Sequence, residues 1–140
     1  DALAIMRTKM AADEDGRILV GGRLGDGAKP PGVGEEALQT VRAGKLLLPL
    51  AAFGGVTHDV AFALGLLEEK LIVRTSSPGE GYERIMAALR EAAPLYHEAL
   101  TARGVDLNTL KALARTDSAP AIAEYSRKIV LAAFPPAESS

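Results

Sequence analysis

Apolar residues recur along this chain at two alternating periods. Leu3, Ile5, Met6 and Met10 form a helical stripe with Arg7 and Lys9 beside it, and Asp13-Glu14-Asp15-Gly16 is a turn signal that ends the helix. Ile18-Leu19-Val20 is too short for a helix and is flanked by glycine, so it reads as a buried parallel strand. A glycine- and proline-rich loop from Gly21 to Gly34 follows it. Glu35 then opens a helix whose apolar face is Ala37, Leu38 and Val41 and which Gly44 ends; Glu35 and Glu36 in its first turn suit the helix dipole. Lys45 to Phe53 is apolar apart from its Lys and reads as a second strand, with Pro49 at odds with its centre.

Gly54-Gly55 ends that strand, and Val56, Val60, Ala63 and Leu64 predict a helix to about Leu66. Leu71-Ile72-Val73 is a third candidate strand, running into Arg74, and Pro78-Gly79-Glu80-Gly81 is a turn. From Tyr82 onward the spacing is helical. Pro94 is expected to start one helix, and Asp106 to cap another that carries Leu107, Leu110 and Leu113. Ile122, Tyr125 and Ile129 mark the last. Residues 1–134 are expected to form one domain, with the helical part after Pro78 as a semi-separate lobe and residues 135–140 as a frayed tail. The first residues read as the inside of a helix, as in a piece cut from a longer protein.

Helix, strand, glycine loop, helix, strand, Gly-Gly, helix, strand predicts an α/β fold. The sheet is Rossmann-like, mostly parallel and flanked by helices, with additional C-terminal helices. In such sheets the ligand crevice lies beyond the carboxyl ends of the strands. Gly21, Gly22, Gly54 and Gly55 all fall there. Glycine pairs at these positions serve either as tight turns or as places where a ligand meets bare backbone. Amides at the helix starts near Gly34 and Gly55 would point at phosphate oxygens. Arg23, Lys29 and Arg74 also stand at strand ends, where arginine's planar fork suits phosphate. His58 and Asp59, in a helix's first turn, either touch the ligand or bond to neighbours, and a non-catalytic role is expected. A Gly55→Val change is expected to abolish binding and leave the fold intact.

Composition narrows the classes. The chain has 140 residues, 48% of them hydrophobic and 24% charged, with a formal net charge of −2, so no basic face draws nucleic-acid backbone. It has no Cys, which excludes disulfides and thiolate metal sites, and only two His, far apart. No run is long enough to span a membrane, no secretory signal opens the chain, and the cytoplasm is expected.

Met6-Arg7 on a helix, Gly-Gly-Arg at 21–23, Pro31-Gly32-Val33-Gly34-Glu35-Glu36-Ala37-Leu38 and Phe53-Gly54-Gly55 together resemble the SLOG superfamily. This superfamily includes the Lonely Guy cytokinin-activating enzymes, once mislabelled lysine decarboxylases. The resemblance covers roughly the first 75 residues well, and is strongest to the bacterial branch of TIR-associated antiviral systems. It implies a sensor for a nucleotide or an NAD-derived nucleotide of the ADP-ribose or cyclic ADP-ribose type. The site would comprise Gly21, Gly22, Arg23, Gly32, Gly34, Glu35, Gly54, Gly55 and Arg74. The rival is a nucleoside 5'-monophosphate phosphoribohydrolase, with Arg7, Glu35 and Glu36 as its catalytic candidates.

The enzymes carry Pro-Gly-Gly-x-Gly-Thr-x-Glu. Here Gly32-Val33-Gly34 matches Gly-x-Gly and Arg7 matches an upstream helical Arg, but Pro31 stands at the first Gly, Glu35 at the Thr and Ala37 at the catalytic Glu. A two-residue shift turns a helical side chain by about 200°, so Glu35 is no simple substitute. The family's strand and glycine turn before the Arg7 helix are not found. Expected partners are a small nucleotide ligand, further copies of the chain, and a partner or fused effector domain; no cofactor, metal, membrane or nucleic acid is expected.

Overall fold

The computed structural model describes residues 16–70 and 78–135. Strand β1 (Gly16–Leu19) leaves the sheet at Val20 and runs through the long glycine loop into helix α1 (Gly32–Arg42). The chain returns as β2 (Leu46–Pro49), which pairs with β1 in parallel, from Gly16 with Leu46 to Leu19 with Pro49. A 3-10 turn (Ala51–Phe53) and helix α2 (Gly55–Ala63) follow. Three helices complete the described chain: α3 (Glu80–Ala102), α4 (Leu107–Arg115) and α5 (Ala119–Ala133). The architecture is α/β, with two parallel strands and five α-helices among the described residues. The first expected helix, with Arg7, and the third expected strand, with Arg74, lie outside those residues.

β2 is buried on both faces: Leu46, Leu47 and Leu48 are almost wholly inaccessible, which is why its sequence is a continuous apolar run. On β1 only Leu19 is buried. α1 lays Ala37, Leu38 and Val41 against the sheet, as its spacing predicts. α3 packs across α1 and α2, and its Tyr96 hydroxyl donates to the Leu47 carbonyl at 2.6 Å. Burial pushes that phenol well above its ordinary pKa. The helices after Pro78 are not a separate lobe, because Leu110 and Leu113 of α4 are buried in the same cluster as β2 and α4 touches both β2 and the 3-10 turn.

Four expectations change in detail. The strand expected over Lys45–Phe53 ends at Pro49, whose missing N–H cannot extend a ladder, and the chain tightens into the 3-10 turn closed by the Gly54 N–H on the Ala51 carbonyl at 3.0 Å. α1 starts at Gly32 rather than Glu35, because extended Pro31 is its N-cap and the Pro31 carbonyl accepts from the Glu35 N–H at 3.1 Å. α2 stops at Ala63 rather than near Leu66, with His97 donating to the Leu64 carbonyl at 2.7 Å. Pro94 starts no helix and lies inside the 23-residue α3. It is exposed there, and buried Leu89, Tyr96 and Leu100 hold the helix on either side of the lost hydrogen bond.

Candidate anion-binding corner

The loop after β1 is held by backbone contacts that only glycine permits. The Gly21 carbonyl accepts from the Thr57 N–H at 2.9 Å and the Thr57 hydroxyl at 2.8 Å, and the Gly22 carbonyl accepts from the Val56 N–H at 3.1 Å. Gly55 makes this approach possible: with φ at +67°, a Cβ there would stand 2.6 Å from the Gly21 carbonyl carbon. A Cβ on Gly22 would stand 2.7 Å from Cγ2 of Val33 in α1.

The far side of the loop is docked on α3. Asp26 and Lys29 exchange backbone bonds of 3.2 and 2.8 Å, making a small hairpin. The Gly27 carbonyl accepts from the Gly81 N–H at 2.8 Å, and the Ala28 carbonyl from the Arg84 guanidinium at 3.1 Å. A Cβ on Gly81 would lie 2.5 Å from the Lys29 carbonyl carbon. One loop thus meets the N-termini of α1, α2 and α3. Each helix start carries roughly half a positive elementary charge from its aligned peptide dipoles, so the corner favours an anion.

The three helix starts differ in what they have left to offer. Val56 and Thr57 of α2 already donate to the loop. At α1 the N-cap, Pro31, makes no side-chain cap, and among the described residues nothing accepts from the amides of Gly32, Val33 or Gly34. Gly32 is exposed, with open space where a Cβ would be. Gly34 is buried, and a Cβ there would press on Ile85 of α3 at 3.2 Å, so this glycine serves helix packing. Arg23 and Lys29 are exposed on the loop, and among the described residues neither side chain makes a hydrogen bond or an ion pair.

Of the site residues expected from sequence, Gly21, Gly22, Arg23, Gly54 and Gly55 therefore gather at one corner, with Gly32 at the start of the adjoining α1. The two glutamates diverge. Glu35 is exposed on the first turn of α1, whereas Glu36 pairs with Arg17 at the start of β1. Arg17 precedes the loop by about 10 Å of extended strand, so its salt bridge holds Glu36 away from the glycine corner. Ala37, where the hydrolytic enzymes carry their glutamate, is buried at 0% exposure.

Sequence reasoning singled out His58 and Asp59 but not their burial or their link to Tyr82 in a second polar cluster. His58 donates through Nδ1 to Asp59 Oδ1 at 2.7 Å, and Tyr82 of α3 donates to Asp59 Oδ2 at 2.5 Å. His58 and Asp59 are buried because α2 is enclosed on nearly all sides, which its weak apolar patterning did not reveal. They border a cavity of about 40 Å³ also lined by Phe62, Lys70 and Arg90, a space for water rather than for a nucleotide. The docking of Gly79 and Gly81 was missed too; its one sequence signal was a pair of glycines inside an assigned turn.

A parallel β–α–β unit with helix N-termini gathered on a glycine loop makes this an α/β protein, compatible with a Rossmann-like arrangement, with a candidate phosphate loop. The family described as SLOG cluster2 matches residues 1–113, and the chain belongs to that family. Membership ties it to a superfamily with nucleotide-related functions; the match ends within α4, and α5 lies beyond it. No curated protein and no solved structure matches the chain. Among the described residues, no helix is long and apolar enough to cross a membrane.

Proposed function

We propose that this protein binds the phosphates of a nucleotide or an NAD-derived nucleotide of the ADP-ribose type, at the corner between the β1 loop and α1, and acts as a sensor. The observation that carries this reading is the set of unclaimed amides at Gly32, Val33 and Gly34, beside exposed Arg23 and Lys29, where three helix N-termini meet one loop. Phosphate oxygens accept from such amides at little reorganisation cost, and each cation adds a charge-assisted bond. Arg7, Arg74 and Glu35 complete the proposed set of contacts. A sensor must bind its signal more tightly in one state than in another, and we assign that second state to self-association or to a partner or fused effector domain. The TIR-associated branch of antiviral systems is the context in which such a signal arises.

A binding role is favoured over hydrolysis by the burial of Ala37 and the engagement of Glu36 with Arg17. Titration calorimetry with ADP-ribose, its cyclic isomers and AMP, alongside chromatography for released adenine, tests both. Saturable binding without adenine release is expected. Adenine release would establish the phosphoribohydrolase instead, and absence of binding to all of them would refute the reading.

A further inference from the structure

Six side chains in this protein are aromatic, and there is no Trp. Five of the six are buried or partly buried: Phe62, Tyr82, Tyr96, Tyr125 and Phe134. Phe53 is the exception at 50% exposure. It ends the 3-10 turn and precedes Gly54-Gly55, so its Cα lies within about 7 Å of the point where Gly55 backs onto Gly21. Val20, directly before Gly21, is also exposed, at 37%. An aromatic-poor chain thus places its one exposed ring at the end of the 3-10 turn that follows β2, and an exposed β-branched residue directly after β1. The α1 amides offer polar contacts to an anion at one end of that loop, and exposed Phe53 and Val20 add apolar surface near its other end.

We infer that Phe53 is a specificity-determining residue that stacks on the nucleobase of the bound nucleotide, with Val20 as the side wall. The inference rests on the reading above, and gives the ligand an aromatic base in addition to its phosphates. Base–aromatic stacking tolerates any flat base, so Phe53 selects for the presence of a base rather than for its identity. AMP and ribose 5-phosphate, which differ by the base alone, serve as calorimetric probes. The variants are Phe53→Leu, which keeps an apolar side chain without a ring, and Phe53→Tyr, which keeps the ring.

The wild-type chain is expected to bind AMP more tightly than ribose 5-phosphate. Phe53→Leu should weaken AMP about tenfold, the order of one lost stack, and leave ribose 5-phosphate within about twofold; Phe53→Tyr should restore AMP binding. Equal affinity of the wild type for the two probes overturns the platform and leaves the phosphate site standing. An equal loss of both probes in Phe53→Leu overturns it as well. So does unchanged AMP affinity, including the case where light scattering shows a smaller assembly and so assigns Phe53 to contact with a second copy. Failure of the wild type to bind either probe also overturns the platform, and the underlying reading falls with it only when ADP-ribose and its cyclic isomers fail to bind as well.

Discussion

Replacing Gly55 by alanine tests the close approach that fixes the glycine corner. The added Cβ would stand 2.6, 2.8 and 2.9 Å from the carbonyl carbon, Cα and oxygen of Gly21. Carbon atoms pack best at about 3.5–4.0 Å, so the two backbones must part by roughly 1 Å. That parting stretches the bonds from Val56 to Gly22 and from Thr57 to Gly21 beyond useful length. Two such bonds contribute about 2 kcal/mol together, and a non-glycine residue at positive φ costs a further ~1–2 kcal/mol. Reduced freedom of the unfolded chain returns about 0.4–1 kcal/mol. The net loss is on the order of 2–4 kcal/mol, a large share of the roughly 5–15 kcal/mol that holds a domain of this kind together.

Gly44→Ala is the control. Gly44 has φ at +72° and nothing within 4 Å of the position a Cβ would take. It therefore bears the conformational cost without the clash, about 1 kcal/mol net. Urea unfolding followed by circular dichroism compares the two. A midpoint lowered by roughly 1–2 M for Gly55→Ala, against about 0.5 M for Gly44→Ala, is expected for ordinary denaturant slopes. Equal losses would show that the Gly55–Gly21 approach contributes nothing, and the reasoning would fall. The same geometry changes the expectation for Gly55→Val, which must disturb the fold along with any binding. Arg23→Ala with Lys29→Ala separates the two, since both side chains are exposed.

Three further outcomes follow from named contacts. Because Tyr96 keeps its proton in the folded state beyond the ordinary phenol value of 10.0, stability should be unaffected by this group below about pH 10 and fall above it by up to ~1.4 kcal/mol per pH unit; urea midpoints measured against pH should show that slope, and Tyr96→Phe should abolish it. Tyr82→Phe removes the hydroxyl bonded to Asp59, and a loss of about 1–3 kcal/mol is expected, seen as a lowered thermal midpoint; an unchanged midpoint would show that the bond ties α3 to α2 with no net effect. Asp106→Ala should cost about 1 kcal/mol in chemical unfolding, because Asp106 accepts from the Asn108 N–H at the start of α4.

Much of the fold was legible because its signals are local. The apolar spacing of Ala37, Leu38 and Val41 fixes the buried face of α1, and Asp106 before Leu107, Leu110 and Leu113 gives both the start and the inner face of α4. The parallel pairing followed from the order of elements, with a helix between two short apolar runs. What stayed hidden depends on contacts between distant residues. Gly81 meets Lys29 across 52 positions, and a glycine in a Pro-Gly-Glu-Gly turn looks the same whether it faces water or another backbone. Tyr96 reaches Leu47 across 49, and nothing local distinguishes a tyrosine that caps a buried strand carbonyl from one on the surface. Pro94 misled for the opposite reason, because its local signal was strong and the packing on either side of it was stronger.

The glycine motifs show most plainly where pattern stops and packing begins. In sequence the Gly21–Gly34 loop and Gly54-Gly55 look like two equivalent phosphate corners, each a strand end followed by a helix. In the folded chain they are two sides of one contact. Gly55 lets α2 approach Gly21, and the amides of Val56 and Thr57 are used up in holding the loop. Those bonds fix the loop that leads into α1, where Gly32 lies open and the first amides have no acceptor among the described residues. A helix start that has already donated its protons can position an anion site but not form one. The place to look for phosphate is therefore the start of α1, and α2 supports the loop that leads there.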